Sequence, residues 1–305
     1  MSDLAVVHLV RRQNGLPPFE RFLSSYRARA AGAPHELVIL FKGFAAQGDT
    51  QDYDRLLDGT PHQRLFVPDR GLDLNAYFES VASLAHDRFC FLNSYSRILD
   101  DGWLGKLARW LREEGVGLVG ATGSCQSIAR GYPMPQGENA VSPAARLRTR
   151  IRLALRDRRP GTLARRAGLW GLRLAGIWRP ARDIPAFPNY HVRTNAFMVA
   201  RRTLDRIRFR PLRWKLSAYK FESGNDSLTN QVLRLGLKVL VVGRDGEGYP
   251  PERWHLSNTF WQSNQENLLV ADNQTEAYIA ADPADRAVLS RYAWGELARP
   301  GVRTR

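Results

Sequence analysis

Only two cysteines, Cys90 and Cys125, occur in the 305 residues. A disulfide framework is therefore not what organises this chain, and a reducing cytoplasm is the expected compartment. Long apolar runs are missing as well, and none approaches the ~20 residues a membrane-spanning helix needs. The opening Met-Ser-Asp-Leu-Ala-Val-Val-His-Leu-Val lacks a basic start and a small-residue cleavage site. It reads as a first strand, not a signal peptide. No Cys/His cluster points to structural zinc. No Gly-x-Gly-x-x-Gly follows the first apolar run, which disfavours dinucleotide binding. No Gly-x-Ser-x-Gly marks a nucleophile-elbow hydrolase. Acids are scarcest between residues 144 and 182, where twelve arginines face one acid, Asp157.

What is present is enough apolar material, 44% of residues, to build a sizeable core. The length suits one large α/β domain with an insertion, or two small domains. Apolar runs at 6–10, 36–41, 65–67, 89–92 and 116–119 read as strands. Between them lie helical patterns: one begins at Pro17-Pro18 with Phe19, Phe22, Leu23 and Tyr26 on one face. Others run through 53–57, 75–85 and 103–112. The alternation resumes after residue 190 with a strand at 196–200, a helix at 226–235 and a strand at 238–242. Such spacing predicts a doubly wound, mainly parallel sheet with right-handed crossovers.

The net charge is +15, and +11 of it sits in residues 144–182, leaving +4 for the other 266. That segment reads as two basic amphipathic helices broken at Pro160-Gly161. Leu163, Ala167, Trp170, Leu174, Ile177 and Trp178 form the apolar stripe of the second. Three readings compete: a solvated charged face, a nucleic-acid surface, and an anionic membrane surface. The last fits best, since the tryptophans suit the headgroup level and the arginines lie opposite. Nucleic acid ranks below it, because no recognised DNA or RNA motif accompanies the charge.

The densest information lies in residues 89–104, Phe-Cys-Phe-Leu-Asn-Ser-Tyr-Ser-Arg-Ile-Leu-Asp-Asp-Gly-Trp-Leu. A buried-strand run delivers Asn93, Ser94 and Ser96 to its carboxyl end, where ligands of open α/β sheets bind. Leu104, Leu107, Ala108 and Leu111 then fall at helical spacing. This stretch resembles the centre of family-2-like glycosyltransferases of the GT-A fold, in which an Asp-x-Asp pair precedes a Gly-Trp-Leu helix start. Further similar stretches follow the same order: 69–77, 116–124, His191-Val-Arg-Thr-Asn-Ala-Phe-Met198, and 221–231 ahead of 233–240. The resemblance covers roughly residues 5–125 and 186–245.

It implies a GT-A-like α/β fold and transfer of a sugar from a nucleotide-sugar donor to a polysaccharide, cell-surface or lipid-linked acceptor. It also implies a catalytic carboxylate near the 221–231 stretch, as in inverting members. Aligned back from Gly236, that motif falls on Gly224 and Asn225, so the flanking Glu222 and Asp226 are the candidate bases. The plain alternatives are a surface acid for Glu222 and a helix N-cap for Asp226. The Asp-x-Asp positions are Asn93 and Tyr95, and the acid expected to close the second strand is replaced around Phe41-Lys42. A divalent metal, Mn²⁺ or Mg²⁺, is implied by the family but not supported by an Asp-x-Asp pair here, so no cofactor is assigned.

Arginine forks hold diphosphates well, and Arg193 is the candidate for that contact. Arg11 and Asn14 follow the first strand at the nucleotide end, with Asp73 read as helix cap or ribose ligand. Tyr95 and Asn195 complete the candidate donor set. His255 reads as a packed histidine rather than a metal ligand. The expected division is a nucleotide-sugar-binding half (1–125), a loop and basic helical insertion (126–185), an acceptor or catalytic half (186–250) and a C-terminal extension (251–305). The expected location is cytoplasmic, peripheral at the inner membrane face. Against the transferase stand a catalytically degenerate sugar-nucleotide-binding protein and a basic nucleic-acid-binding protein.

Overall fold

A computed structural model describes residues 3–44, 47–69, 73–127, 180–211 and 215–298. The two basic helical pieces read between 144 and 179 lie outside these described residues. In chain order the first half runs β1 (Leu4–Arg11), α1 (Pro17–Ala28), β2 (Glu36–Lys42), α2 (Gln51–Leu57), β3 (Gln63–Val67), α3 (Asp73–Ala82) and β4 (Arg88–Leu92). It continues through β5 (Arg97–Ile98), α4 (Trp103–Arg112), β6 (Val116–Gly120) and β7 (Gly123–Ser124). The second half has α5 (Pro180–Asp183), β8 (His191–Val192), β9 (Ala196–Ala200), α6 (Arg201–Leu204), α7 (Lys215–Ser223), α8 (Leu228–Arg234), β10 (Lys238–Val242) and β11 (Gly248–Tyr249). Last come β12 (Val270–Ala271), α9 (Asn273–Ile279) and α10 (Pro283–Trp294).

The main sheet has eight strands in the order β11-β10-β6-β9-β4-β1-β2-β3. β1 is parallel to both β2 and β4, β2 to β3, and β6 to β10. Its residues Leu4 to Val10 are all buried, as befits a strand covered on both faces. One face carries α1, α2 and α4 through Phe19, Phe22, Tyr53, Trp103 and Leu107. The other carries α3, α7, α8 and α10 through Tyr77, Phe221, Val232 and Trp294. Burying apolar faces on both sides of one sheet is the three-layer solution expected of α/β patterning.

Two strands of the sheet run against the rest, β11 at its edge beside β10 and β9 in its interior. β9 enters between β4 and β6 and pairs antiparallel with both, Leu92 opposite Ala196 and Gly120 opposite Phe197. Reversal has a consequence for the site: residues 193–195, which lead into β9, stand at the carboxyl ends of β4 and β6. α4 starts where expected, with Gly102 at its N-cap in the left-handed region (φ 68°). Its amide donates to the Ala30 carbonyl at 2.7 Å. α8 is capped by Ser227, whose hydroxyl accepts from the Asn230 amide, so Asp226 is not the cap.

The C-terminal extension belongs to the core. β12 pairs antiparallel with β5, and the Ala293 carbonyl accepts from the Cys125 amide at 3.1 Å. Trp254 and Trp294 are fully enclosed, and their indole N–H groups donate to the Tyr249 and Phe260 carbonyls. None of the described helices is long and apolar enough to cross a membrane.

Candidate active site

The carboxyl ends of β1 and β2, with the start of α3, gather four opposed charges. Arg11 ends β1, Lys42 ends β2, Asp69 follows β3 and Asp73 opens α3. Arg11 Nη2 donates to Asp69 Oδ1 at 3.4 Å, and its Nη1 lies 3.4 Å from Asp73 Oδ1. Lys42 Nζ approaches the same Asp73 oxygen at 3.9 Å. Gly43 makes the turn possible: at φ 81° it lies so close that a Cβ would stand 3.1 Å from Asp69 Cβ. Burial lowers the pKa of the Lys42 ammonium, and the Asp73 carboxylate opposes that shift.

The next strand over, β4, delivers Asn93 to Ser96. Asn93 Oδ1 accepts from the Tyr95 amide at 2.9 Å and lies 3.2 Å from Ser96 Oγ. This is an Asx turn, in which the side chain serves the backbone of its own loop. The Tyr95 hydroxyl donates to Asn14 Oδ1 at 3.2 Å, tying the β4 loop to the short 3₁₀ turn after β1. The arrangement does not fit a hard divalent cation. Neither Asn93 nor Tyr95 offers a carboxylate, and the amide oxygen of Asn93 is spent on the turn. Among the described residues no three His, Cys, Asp or Glu side chains come together as ligands.

On the other side of β4 stands the lead-in to β9. The Asn93 amide donates to the Asn195 carbonyl at 2.9 Å, and Thr122 Oγ1 to Asn195 Oδ1 at 2.6 Å. Asn195 Nδ2 and Ser94 Oγ are both buried and have no hydrogen-bond partner among the described residues. The Thr194 amide and hydroxyl donate to Glu222 Oε1 at 3.2 and 3.1 Å. Glu222, on the last turn of α7, is thus held one residue from the Asn93–Asn195 junction. His191 is buried nearby, with Nδ1 2.8 Å from the Asn189 carbonyl, to which it donates. Burial pushes the His191 imidazole down, and the Glu222 charge opposes this.

Arg193 has a different occupation from the diphosphate contact expected of it. Its Nη2 donates to Asp272 Oδ2 at 2.8 Å, with side chains only 8% and 2% exposed. The guanidinium also lies 4.0 Å from the centroid of the Phe260 ring. Asp272 is itself the N-cap of α9 in a capping box with Thr275. Arg193 therefore fastens the C-terminal extension to the sheet. Asp226 is 75% exposed and pairs with Arg234 of α8, whereas Glu222 is the acid that Thr194 holds. The structure brings together Arg11, Asn14, Asp73, Asn93, Tyr95, Asn195 and Glu222. Lys42, Thr194 and Asp272 are additions. Lys42 had a signal, a cation closing a run of buried strand residues, whereas Asp272 lies in a stretch whose partner is 79 positions away.

No family model matches the chain, and no curated protein matches it in sequence. Solved structures similar to it include the mannosyltransferase PcManGT of Pyrobaculum calidifontis, in complex with GDP-Man and Mn²⁺. The identity is 14%, the match spans 97% of this chain and 69% of that one, and the TM-score is 0.46. TarS 1-349 of S. aureus in complex with UDP-GlcNAc is similar at 14% identity, over 44% of this chain and 37% of its own, with a TM-score of 0.33. At such identities and scores these likenesses assign nothing to the site of this chain. The described residues of this chain themselves form a mostly parallel mixed sheet between helices.

Proposed function

We propose that the chain is a glycosyltransferase that moves a sugar from a nucleoside-diphosphate donor to a glycan or lipid-linked acceptor, with inversion. One observation supports this most: Asn14, Asn93, Asp73 and Arg11 collect at the carboxyl ends of β1 and β4, and Glu222 stands across from them on Thr194. Open α/β sheets bind ligands at such ends, and the polar atoms of Ser94 and Asn195 are left over there. In this reading the donor lies over β1 and β4 and the acceptor enters from the α7 side. Glu222 takes the proton of the acceptor hydroxyl as that oxygen forms its bond to the anomeric carbon. The bond from that carbon to the diphosphate oxygen breaks, and its electron pair leaves with the nucleoside diphosphate. Glu222 Oε1 is turned by the two Thr194 donors, which leaves Oε2 for the acceptor.

The anionic membrane surface remains a proposed partner on the sequence of residues 144–182 alone, as does placement at an inner membrane face. A thermal-shift screen of nucleoside diphosphates and their sugars tests the main reading, since a ligand that binds only the folded state raises its melting temperature. Stabilisation by at least one nucleotide, with sugar release that Glu222→Gln suppresses, is the expected result. Binding without release favours a degenerate sugar-nucleotide-binding protein. No nucleotide response, with tight binding to duplex or single-stranded DNA, would sink both in favour of a nucleic-acid binder.

A further inference from the structure

Every non-glycine residue of positive φ among the described residues lies in 258–265: Asn258, Trp261, Ser263 and Gln265, at φ 41° to 54°. Side chains disfavour that region, so such a loop persists only where its surroundings over-determine it. Two glutamines do so from within. Gln262 Oε1 accepts from the Thr259 amide at 3.1 Å, and Gln265 Oε1 from the Trp261 amide at 2.9 Å. Between them the loop carries the buried Phe260, whose ring centroid lies 4.0 Å from the Arg193 guanidinium.

Arg193 is thus gripped on three sides. Phe260 covers its face, Asp272 Oδ2 accepts from Nη2 at 2.8 Å, and Thr122 Oγ1 accepts from Nη1 at 3.4 Å. A guanidinium only donates, so the single Thr122 hydroxyl proton is left for Asn195 Oδ1, 2.6 Å away. The Asn195 amide is set by this, with its oxygen towards Thr122. Between Arg193 and Asn195, Thr194 turns its amide and hydroxyl onto Glu222 Oε1 at 3.2 and 3.1 Å. Three successive residues therefore carry one grip from the C-terminal extension to the acid. A carboxylate that must meet a hydroxyl in one geometry needs such a shell of locked side chains around it.

We propose that the C-terminal extension is a positioning element for the reaction centre: Phe260 and Asp272 fix Arg193, and Arg193 holds the two Thr194 donors on the Glu222 carboxylate. This rests on the reading of Glu222 as the base. Phe260, Asp272 and Arg193 act through Thr194 and touch no reacting atom.

The first readout needs no substrate. In the full chain with isotope-labelled threonine, the Thr194 amide resonance should move as the Glu222 carboxylate it serves gains a proton on acidification. His191 also faces Glu222 and Arg193, and Lys220 of α7 pairs with Asp183. Glu222→Gln therefore serves as the control that isolates the Glu222 part of the movement. Phe260→Leu keeps apolar bulk but loses the ring face, and should remove most of that part. Arg193→Lys keeps a charge for Asp272 but loses the fork and the flat stacking surface, and should do the same.

The second readout is turnover of the sugar nucleotide that most stabilises the wild type. Both variants should lower kcat by about ten- to a hundredfold with the donor KM unchanged. On a Glu222→Gln background Phe260→Leu should lower it no further, because the two act through one group. A purely structural clamp would lower the melting temperature and leave the Thr194 response and kcat per folded molecule intact, which overturns the inference. A raised donor KM at unchanged kcat overturns it too. Should Phe260→Leu fail to fold, Arg193→Lys decides in its place. If Glu222→Gln is slow and the clamp variants are not, the inference falls and the base reading stands. If Glu222→Gln turns over like the wild type, or the wild type turns over no sugar nucleotide, both fall.

Discussion

Two arginines at the same end of the sheet, Arg11 and Arg193, do opposite work. Arg11 closes β1 with a side chain 13% exposed, and its carboxylate partners, Asp69 and Asp73, are 53% and 41% exposed. Arg193 leads into β9 at 8%, its partner Asp272 at 2%, and Phe260 covers the guanidinium. The first pair of contacts is long and wet, and the second is short and dry. Charge that a ligand must reach is left at the rim of a site, where rearranging it costs little. Charge that ties two segments together is desolvated, and separating it leaves an ion stranded in the interior. The side of the site built from β1, β2 and β4 is thus open, and the side fastened to the C-terminal extension is closed. Thr194 and Asn195 lie on the seam between them.

The sharpest test of that division falls on the seam. Glu222→Gln keeps the shape of the side chain and an acceptor for the Thr194 donors, but removes the carboxylate proposed as the base. Turnover of the donor with acceptor present should fall by about 10²–10⁴-fold, with nucleotide affinity unchanged in calorimetry. If turnover persists at wild-type level, the base lies elsewhere and the seam is not the reaction centre.

The division itself is broken or kept by a matched pair of variants. Arg193→Met strands the buried Asp272 carboxylate, and denaturant unfolding should show a loss of about 3–5 kcal/mol. Arg11→Met, whose carboxylate partners Asp69 and Asp73 are half-exposed and keep water, should cost clearly less than Arg193→Met. Equal losses from the two would show that the open and closed sides are not different in kind.

How the sequence anticipated these two sides differs for a physical reason. β1, β2, β4, β6 and β10 were legible because strands buried on both faces read as short continuous apolar runs. The gathering of Asn14, Asp73 and Asn93 at one end of the sheet followed, because topology alone brings the ends of such strands together. Arg193 was legible as a buried-strand neighbour but not as a clamp. Its partners Phe260 and Asp272 lie in a segment with little periodicity, where Asn258, Trp261, Ser263 and Gln265 all take positive φ. Backbone of that kind is held by tertiary contacts and carries no local signature. The antiparallel sense of β9 was likewise a matter of partners, since a five-residue apolar run reads the same in either direction.

β1 offers a third test, within one strand. Arg11 bears its charge at the strand end, while three residues earlier His8 is fully buried and stacked on Phe22 at 3.5 Å between ring centroids. Burial lowers the His8 pKa from 6.5 to about 3. Between those two values the unfolded chain binds a proton that the folded chain refuses, so stability rises with pH there and is lost as pH falls. Each pH unit below 6.5 should remove about 1.4 kcal/mol until the folded value is reached. His8→Leu should flatten that part of the pH profile in urea unfolding. A profile unchanged by the substitution would mean that other groups set the acid limb.

The smallest effect expected is that of metal. The open side presents Asn93 and Tyr95 where a chelating pair would stand, and Asn93 Oδ1 already serves the Tyr95 amide at 2.9 Å. Mn²⁺ and Mg²⁺ favour anionic oxygens and hold their water firmly, so an amide oxygen engaged in a turn is a poor exchange for it. Nucleotide affinity measured after chelation and again with Mn²⁺ should therefore agree within about twofold, a difference attributable to the metal bound by the free diphosphate itself. Tyr95→Asp sharpens the point. It puts back one carboxylate and frees Asn14 from the hydroxyl at 3.2 Å, so Mn²⁺ should then raise affinity where it did nothing before. If Mn²⁺ already strengthens binding many-fold in the wild type, the cation is held by residues other than this loop, and the open side is not the neutral surface its four charges make it.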